Sequence, residues 1–370
     1  MAAMKVGLVA SPWVAVPPPR YGGSELVIDL LARGLQQAGD EVVLFTTGDS
    51  ICPVPKRLIY QRALGTAAIT VAAEARHIVH AYAALSDCDV IHDHTLFGPL
   101  YAAGVTDTPI VTTSHGPFTE ETSDIYASVD RRVSVVAISH HQRSTAPQVD
   151  VAAVIHHGID VERVPFGRGE GGYAVFLGRM SPEKGAHRAI EIAGAAGVPL
   201  LLAAKMAEPE ERTYFRKVVE PLLSDDAVYI GEVGGPAKME LLGNAVALLN
   251  PIRWPEPFGL VMIEALASGT PVIAFPEGAA PEIVDHGVSG FLCADEAEMA
   301  RCLGQVGQLS RRDCRSAAAR RFSADRMVAD HRELYRSLVS DQAPADVIEL
   351  MAPRARRAGV DLLATATERP

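Results

Sequence analysis

The sequence has few cysteines, and their spacing does not suit a disulfide framework or a zinc site. The five are Cys52, Cys88, Cys293, Cys302 and Cys314, an odd number without any C-x-x-C pair. Reduced thiols in a cytoplasmic protein are therefore expected. The chain also lacks a run of 18 or more apolar residues, so no membrane-spanning helix and no integral membrane association are expected.

Basic residues are in the minority, with 34 Lys and Arg against 45 Asp and Glu and a formal net charge of −11. A generic nucleic-acid binder needs a surface that neutralises phosphates, so the charge balance argues against that class of protein. An acidic net charge is still compatible with a small basic pocket that binds one nucleotide. Walker A, G-x-S-x-G and H-E-x-x-H motifs are also missing, which disfavours P-loop enzymes, α/β-hydrolases and zinc proteases.

The 370 residues are too many for one ordinary core, and a 48% hydrophobic, 21% charged composition is typical of folded domains. Short Val- and Ile-rich runs alternate with helical patterns, which predicts buried parallel strands covered by helices on both faces. The predicted strands are residues 6–10, 41–46, 90–92, 110–113, 133–138 and 151–155, then 173–177, 200–204, 228–230, 247–249 and 272–275. The predicted helices of the first half are residues 24–38, 66–85, 96–104, 119–130 and 140–146.

Residues 156–172 interrupt this alternation with five glycines and a proline, as a linker does. The sequence therefore predicts an α/β protein of two doubly wound, Rossmann-like domains, at 1–165 and 166–325. Residues 326–370 are predicted to be a helix that packs back on the first domain, followed by a tail. Because such sheets bind ligands outside the carboxyl ends of their strands, two facing domains would enclose a cleft.

The segment from Glu256 to Glu264 reads EPFGLVMIE, and Pro257 suits the first turn of a helix. Unpaired N–H groups at a helix start carry the positive end of the helix dipole, so a phosphate or sugar hydroxyls would dock there. The amides concerned are those of Phe258, Gly259 and Leu260. Glu256 would accept from the sugar and Glu264 from a ribose diol.

Three more loops follow predicted strands. Arg179 and Lys184 are two cations in a loop that opens a helix, a position where anions bind. Gly22 and Gly23 allow the backbone of the first strand–helix loop to approach a ligand, although this loop is not a G-x-G-x-x-G fingerprint. His115 ends a strand and would point into the cleft.

His92-Asp93-His94 suggests a metal site, because alternate residues of a strand share a face. No third ligand follows at a recognisable spacing, and the adjacent pairs His140-His141 and His156-His157 face apart. No metal site is therefore predicted.

Together these segments resemble the retaining GT-B glycosyltransferases of family 4, over roughly residues 4–340. The matching pieces are, in order, Tyr21-Gly22-Gly23, Ser114-His115-Gly116, Arg179 with Lys184-Gly185, Glu256 to Glu264, and Pro281-Glu282-Ile283-Val284 with Gly287 and Gly290-Phe291-Leu292. Two departures stand out: His156-His157 occupies the place of a usual Pro-Asn, and Ala279 replaces a glycine.

The resemblance implies a metal-independent hexosyltransferase that uses a nucleotide-sugar as substrate and needs no cofactor. A UDP-sugar is the expected donor, with GDP-mannose second, and a hydroxyl compound is the acceptor. In such enzymes cations and N–H groups stabilise the leaving diphosphate; here they would be Arg179, Lys184 and the amides near Gly23 and Gly259. Glu256 and His115 complete the implied catalytic set, with His115 acting chiefly through its backbone carbonyl.

Two alternatives to glycosyl transfer stay open at this point. A nucleotide-sugar epimerase of GT-B shape would work on the donor without an acceptor. A non-catalytic nucleotide-sugar-binding protein would be expected to lack one of the key charged residues. The sequence retains all four of them, Arg179, Lys184, Glu256 and Glu264. The identity of the acceptor and the oligomeric state are not indicated by any of these residues.

Overall fold

The structure is a computed structural model that describes residues 3–20, 22–65, 69–102 and 104–341. Tyr21 of the glycine loop lies outside the described residues, and so does the predicted tail beyond residue 341. In the part of the chain that is described, no helix is both long enough and apolar enough to cross a membrane.

The first domain is a parallel sheet with helices between its strands. Its strands are β1 (Lys5–Val9), β2 (Glu41–Phe45), β3 (Lys56–Arg57), β4 (Val90–Asp93), β5 (Ile110–Thr113), β6 (Val133–Ala137) and β7 (Val151–Val154). Its helices are α1 (Gly23–Gln37), α2 (Val71–Ala84), α3 (Gly98–Ala102), α4 (Glu120–Ala127) and α5 (His140–Thr145). Within the described residues seven strands pair in the order β3-β2-β1-β4-β5-β6-β7.

The second domain repeats this plan. Its strands are β8 (Ala174–Arg179), β9 (Leu200–Lys205), β10 (Ala227–Gly231), β11 (Ala247–Asn250), β12 (Val272–Ala274) and β13 (Gly290–Leu292). Its helices are α6 (Ala186–Ala196), α7 (Pro209–Tyr214), α8 (Gly235–Asn244), α9 (Leu260–Ala267), α10 (Ala280–Ile283), α11 (Glu296–Leu303) and α12 (Arg311–Arg321). The six strands described there pair in parallel in the order β10-β9-β8-β11-β12-β13.

The prediction of two doubly wound parallel sheets is confirmed. Central strands such as β4 and β11 are buried along their whole length, which explains why they read as continuous apolar runs rather than alternating ones. Two edge strands, β3 and β13, were not predicted because two or three residues show no periodicity. The predicted helix at 66–85 begins only at Val71, where the Thr70 side chain accepts the N–H of Ala73 and caps it.

The strand order reverses between β1 and β4 in the first sheet and between β8 and β11 in the second. At such a switch point the loops on either side lead to opposite faces of the sheet, and a crevice opens at the carboxyl edge. The loops after β1 and β4 carry Gly22, Gly23 and His94. Those after β8 and β11 carry Lys184 and Glu256. The topology thus collects the predicted site residues along two crevices.

A last helix, α13 (Ala324–Asp341), follows the second domain but packs on the first. Arg332 Nε donates to the buried Asp40 carboxylate at 2.6 Å, and the Tyr335 hydroxyl contacts His92 Nδ1 at 2.6 Å. The close approach of α1 and α13 depends on Gly34, where a Cβ would lie 2.4 Å from Val328 Cγ2. The boundary between the domains at residue 165 stays a prediction.

We expect Gly34→Ala to destabilise the protein by about 1–3 kcal/mol, because the stiff β-branched Val328 cannot move away from the added methyl. Gly194→Ala in α6 is the matched control, since nothing lies within 4 Å of its Cβ position. That change should be neutral or stabilising by about 0.5–1 kcal/mol, as alanine favours a helix over glycine. Urea denaturation measures both. Equal effects of the two substitutions would contradict the close α1–α13 packing.

Candidate functional site

The two crevices face each other across a narrow gap. A Cβ at Gly23 would lie 3.0 Å from Leu260 Cδ1 of the second domain, closer than ordinary contact. Gly22 precedes α1 in extended conformation, and a Cβ there would meet Pro18 Cβ at 2.7 Å. Gly22 is therefore required by space, because the Pro18 ring leaves no room for a Cβ. At Gly23 an added methyl would crowd the end of the Leu260 side chain, which shows how closely this segment approaches the start of α9.

Lys184 and Glu256 form the central charged pair of the second crevice. Both are mostly buried, the Lys184 ammonium donates to Glu256 Oε2, and the Trp254 indole N–H donates to the same oxygen at 2.7 Å. The ammonium also lies 5.2 Å from the centroid of the Trp254 ring. Since a buried charge needs a partner, each side chain holds the other in place. The sequence analysis assigned Lys184 to the diphosphate and Glu256 to the sugar. In the structure the two side chains are in direct contact.

The loop that carries Lys184 is held by its backbone. Gly185 has a φ of +79°, and a Cβ there would lie 2.6 Å from the carbonyl oxygen of Pro251, in the loop after β11. The Arg188 guanidinium donates to the same carbonyl at 2.9 Å and to that of Glu183 at 3.1 Å. The loops after β8 and β11 are thereby joined, which fixes the distance between Lys184 and Glu256.

Arg179, the second predicted cation, is the more exposed one. Its guanidinium is 3.4 Å from the Glu183 carboxylate and 3.9 Å from that of Glu211, while 41% of the side chain is open to solvent. Exposed ion pairs of this kind contribute little free energy and exchange partners readily. An anionic ligand would therefore displace these contacts at small cost.

The predicted start of the 256–264 helix is wrong. Helix α9 begins at Leu260, not at Pro257, because Gly259 takes a left-handed backbone conformation with φ +101° that a right-handed helix cannot include. The first-turn amides without an intrahelical acceptor are accordingly those of Leu260 and Val261. Phe258 is a packing residue: its ring is 2% exposed and lies 5.2 Å from that of His157.

Glu264 lies in the second turn of α9 and is 3% exposed. Its carboxylate accepts a hydrogen bond from Lys238 Nζ of α8 at 2.5 Å, so it has a charged partner that the sequence analysis missed. Nothing in the spacing of residues 238 and 264 signals this pair. Only the packing of α8 against α9 brings the two side chains together.

His115 sits in a row of imidazoles along the first crevice. His115 Nε2 hydrogen-bonds to His94 Nδ1 at 2.9 Å, and its Nδ1 lies 3.3 Å from His157 Nε2. Beneath them His92 hydrogen-bonds to Thr113 Oγ1 and to the Tyr335 hydroxyl, and its ring centroid lies 4.0 Å from that of His94. His92 and His94 do share a side, as predicted. His94 and His157 are neighbours of His115 that the sequence analysis did not assign to the site.

Enclosure keeps these imidazoles neutral. Burial, with the nearby His331 as a smaller cause, lowers the pKa of His115 to about 4, and burial also lowers the pKa of His331 to about 4. The pKa values of His94 and His157 are lowered well below 6.5 for the same reason. With both ring nitrogens bonded to other imidazoles, His115 is poorly placed as a general base. The backbone carbonyl of His115 is not affected by these hydrogen bonds of the ring.

We expect the free energy of unfolding to fall as the pH drops from about 6.5 towards 4. Imidazoles of the unfolded chain titrate near pH 6.5, whereas those of the folded cluster stay unprotonated to lower pH. Each such imidazole therefore lowers the free energy of unfolding by up to about 1.4 kcal/mol per pH unit. Urea denaturation at pH 7.5, 6.5 and 5.5 measures the slope. His331→Gln should flatten it, while the exposed His80→Gln should not. A slope unchanged in His331→Gln would refute this explanation.

Sequence models of two families match the chain: Glycosyltransferase Family 4 over residues 21–163 and Glycosyl transferases group 1 over residues 161–318. The matches meet in the segment that joins the two sheets. Together they include Gly22, Gly23, His115, Arg179, Lys184 and Glu256 to Glu264.

Individual relatives agree with this assignment. Alpha-maltose-1-phosphate synthase of Mycobacterium tuberculosis is 28% identical over an alignment of 335 residues that covers 76% of this chain and 83% of the synthase. The crystal structure of AviGT4, a glycosyltransferase involved in avilamycin A biosynthesis, is 28% identical, with a TM-score of 0.67 and coverage of 91% and 98%. Anabaena HepE in complex with UDP and glucose shares the fold at 20% identity, with a TM-score of 0.71 and coverage of 90% and 100%.

Proposed function

Because this chain belongs to the family 4, group 1 glycosyltransferases, we propose that it is a retaining, metal-independent transferase that moves a sugar from a nucleoside diphosphate to a hydroxyl acceptor. The observation that carries the proposal is the enclosed Lys184–Glu256 pair with Trp254, set between the amide end of α9 and the Gly22-Gly23 loop. A UDP-sugar is the donor we favour, and GDP-mannose is the second choice; HepE, a fold neighbour, was solved with UDP and glucose.

Binding of the donor is proposed to exchange ion pairs. The diphosphate brings negative charge to Lys184 and to the exposed Arg179, and these take over the stabilising role that a divalent metal has in other transferases. The amides of Leu260 and Val261 and the backbone at Gly23 add neutral donors. Glu264, held by Lys238, accepts from the ribose. Lys184 thereby exchanges one anionic partner for another.

Glu256 is proposed to change partners when the donor enters. It gives up Lys184 to the diphosphate, keeps the Trp254 N–H, and accepts from hydroxyls of the transferred sugar. Both halves of the nucleotide-sugar are then held by side chains that were paired with each other beforehand. The crevice is thereby preorganised for the donor, because each charge is already paired within the protein.

Transfer with retention breaks the bond between the anomeric carbon and the diphosphate oxygen on the face where the acceptor oxygen forms its new bond. The acceptor hydroxyl proton passes to an oxygen of the leaving diphosphate, so no protein base is required. Positive charge develops on the sugar ring, and the His115 carbonyl faces it. A neutral imidazole row suits this position because cationic rings would repel the ring charge.

The same proposal assigns the first domain to the acceptor and the second to the donor, with the crevice closing over both to exclude water. We also propose that the enzyme works in the cytoplasm with its thiols reduced. Four of the five cysteines are buried.

We expect Lys184→Ala and Glu256→Ala to lower transfer at least about 10³-fold, because each removes a charge that stabilises bound donor or its leaving group. The measurement is product formation from a radiolabelled UDP-sugar across an acceptor panel. Exposed Lys217→Ala and Glu210→Ala in the same domain are the matched controls and should transfer normally. Circular dichroism melts confirm that all four variants fold. Full activity in a folded Lys184→Ala enzyme would remove that residue from the mechanism.

We expect a UDP-sugar to raise the melting temperature of the EDTA-treated enzyme, and GDP-mannose to raise it less, since a ligand stabilises the state that binds it. Transfer in the same EDTA buffer should equal transfer with added Mg²⁺ or Mn²⁺. Activity that depends on either ion would disprove the metal-independent chemistry. Conversion of the donor to an epimer without any acceptor would establish an epimerase instead, and binding without turnover on any acceptor would establish a non-catalytic protein.

A further inference from the structure

A second cluster of titratable side chains lies where the two domains meet, apart from the Lys184–Glu256 pair. His140 begins α5 and His156 follows β7, both in the first domain, while Glu282 lies in α10 of the second. One ligand atom of each lies within 4.8 Å of the other two. Among the residues that the structure describes, no other three His, Cys, Asp or Glu side chains bring their ligand atoms so close together.

The Glu282 carboxylate is already oriented towards the two histidines. Its Oε2 lies 2.7 Å from His156 Nε2 and accepts the backbone N–H of His140 at 2.9 Å, and its Oε1 accepts the N–H of His141 at 2.7 Å. The two backbone donors hold the carboxylate at the start of α5. The His156 ring packs against the rings of Phe258 and Phe322, with each ring centroid 5.8 Å away. Two of the three side chains are thus fixed without any ion.

We propose that His140, His156 and Glu282 bind a zinc ion that joins the two domains. Two imidazole nitrogens and one carboxylate oxygen are ligands that Zn²⁺ prefers, and three protein ligands with water in the fourth position complete a tetrahedron. The exposed side of His140 leaves that fourth position open to solvent. This site takes no part in the chemical step of the sugar transfer proposed above and goes beyond it.

Binding requires only small movements. The ion takes the place of the proton between His156 Nε2 and Glu282 Oε2, and the carboxylate keeps its backbone bonds because each oxygen has two lone pairs. At Zn–N and Zn–O distances of about 2.0–2.1 Å these two atoms separate to about 3.3 Å, and the His140 ring turns inwards to supply the third ligand. The backbone donors then act as the outer partners that orient a metal-bound carboxylate.

Neighbouring charges do not oppose the ion strongly. Two guanidinium groups contact the backbone of the cluster. Arg321 donates to the carbonyls of Glu282 and Ile283 and forms an ion pair with Asp285. Arg326 donates to the carbonyls of His156 and His157 and forms an ion pair with Asp330. Each of these charges is therefore balanced by a carboxylate of its own. The bound ion would connect α5, the segment after β7 and α10, so that opening of the crevice has to break a metal–ligand bond.

The test uses the full chain, stripped with EDTA, dialysed into chelator-free buffer and titrated with ZnCl₂. Equilibrium dialysis with elemental analysis should find one tightly bound zinc per chain, and saturating zinc should raise the melting temperature by several degrees. His156→Asn and Glu282→Gln should weaken binding by about 100-fold or more, since loss of an outer partner alone costs about 10–100-fold. His80→Ala, which removes an exposed imidazole elsewhere, should bind zinc like the wild type.

Several outcomes would overturn the proposal. Zinc that binds equally well to His156→Asn and Glu282→Gln is held elsewhere, and absence of binding beyond weak surface association means that the cluster is only an ion pair. Binding without a gain in melting temperature would exclude a bridge between the domains. If these two substitutions at partly buried positions unfold the protein, the exposed His140→Asn decides the matter by the same titration. The donor-induced shift is measured in EDTA, so the zinc site and the transferase proposal fail or hold separately.

Discussion

The parallel direction of every paired strand is the constraint on which the rest of this molecule depends. Parallel strands place all their carboxyl ends on one edge, so every loop that follows a strand opens on the same side of its sheet. Because the order reverses once in each sheet, each edge has one crevice, and the linker turns the two crevices towards each other. The contacts of Gly23 with Leu260 and of His157 with Phe258 follow from that arrangement. The proposed transferase site is a property of two edges, not of any single loop.

Within the crevices the main physical problem is to keep charges buried before a ligand arrives. A lysine or glutamate taken out of water without a partner costs several kcal/mol, so the unliganded site pairs Lys184 with Glu256 and Lys238 with Glu264. The first crevice solves the same problem differently. Its imidazoles lie so close together and so deep that they stay uncharged, and they hydrogen-bond to one another as neutral rings.

Helix α13 connects the second domain with the imidazole row of the first. It leaves the second domain, crosses to the first and places His331 and Tyr335 beneath the imidazole row. The same helix is anchored by Arg332 to the buried Asp40. Any relative movement of the domains therefore has to be taken up around the linker and the start of α13, close to the His156–Glu282 contact. The His156–Glu282 contact therefore lies where movement between the domains would be concentrated, with or without a bound ion.

The two doubly wound sheets and the family could be read from the sequence alone. These features are local: buried strands read as apolar runs, and the motif residues His115, Arg179 and Lys184 lie at or within a few residues of strand ends. The sequence-based prediction failed at Pro257, because a favourable first-turn residue cannot override the left-handed backbone that follows it at residue 259. Which charges meet, and which histidines stay neutral, depends on the tertiary structure. Partners such as Lys238 for Glu264 lie dozens of residues apart along the chain, and pairing and burial are products of packing that no local pattern encodes.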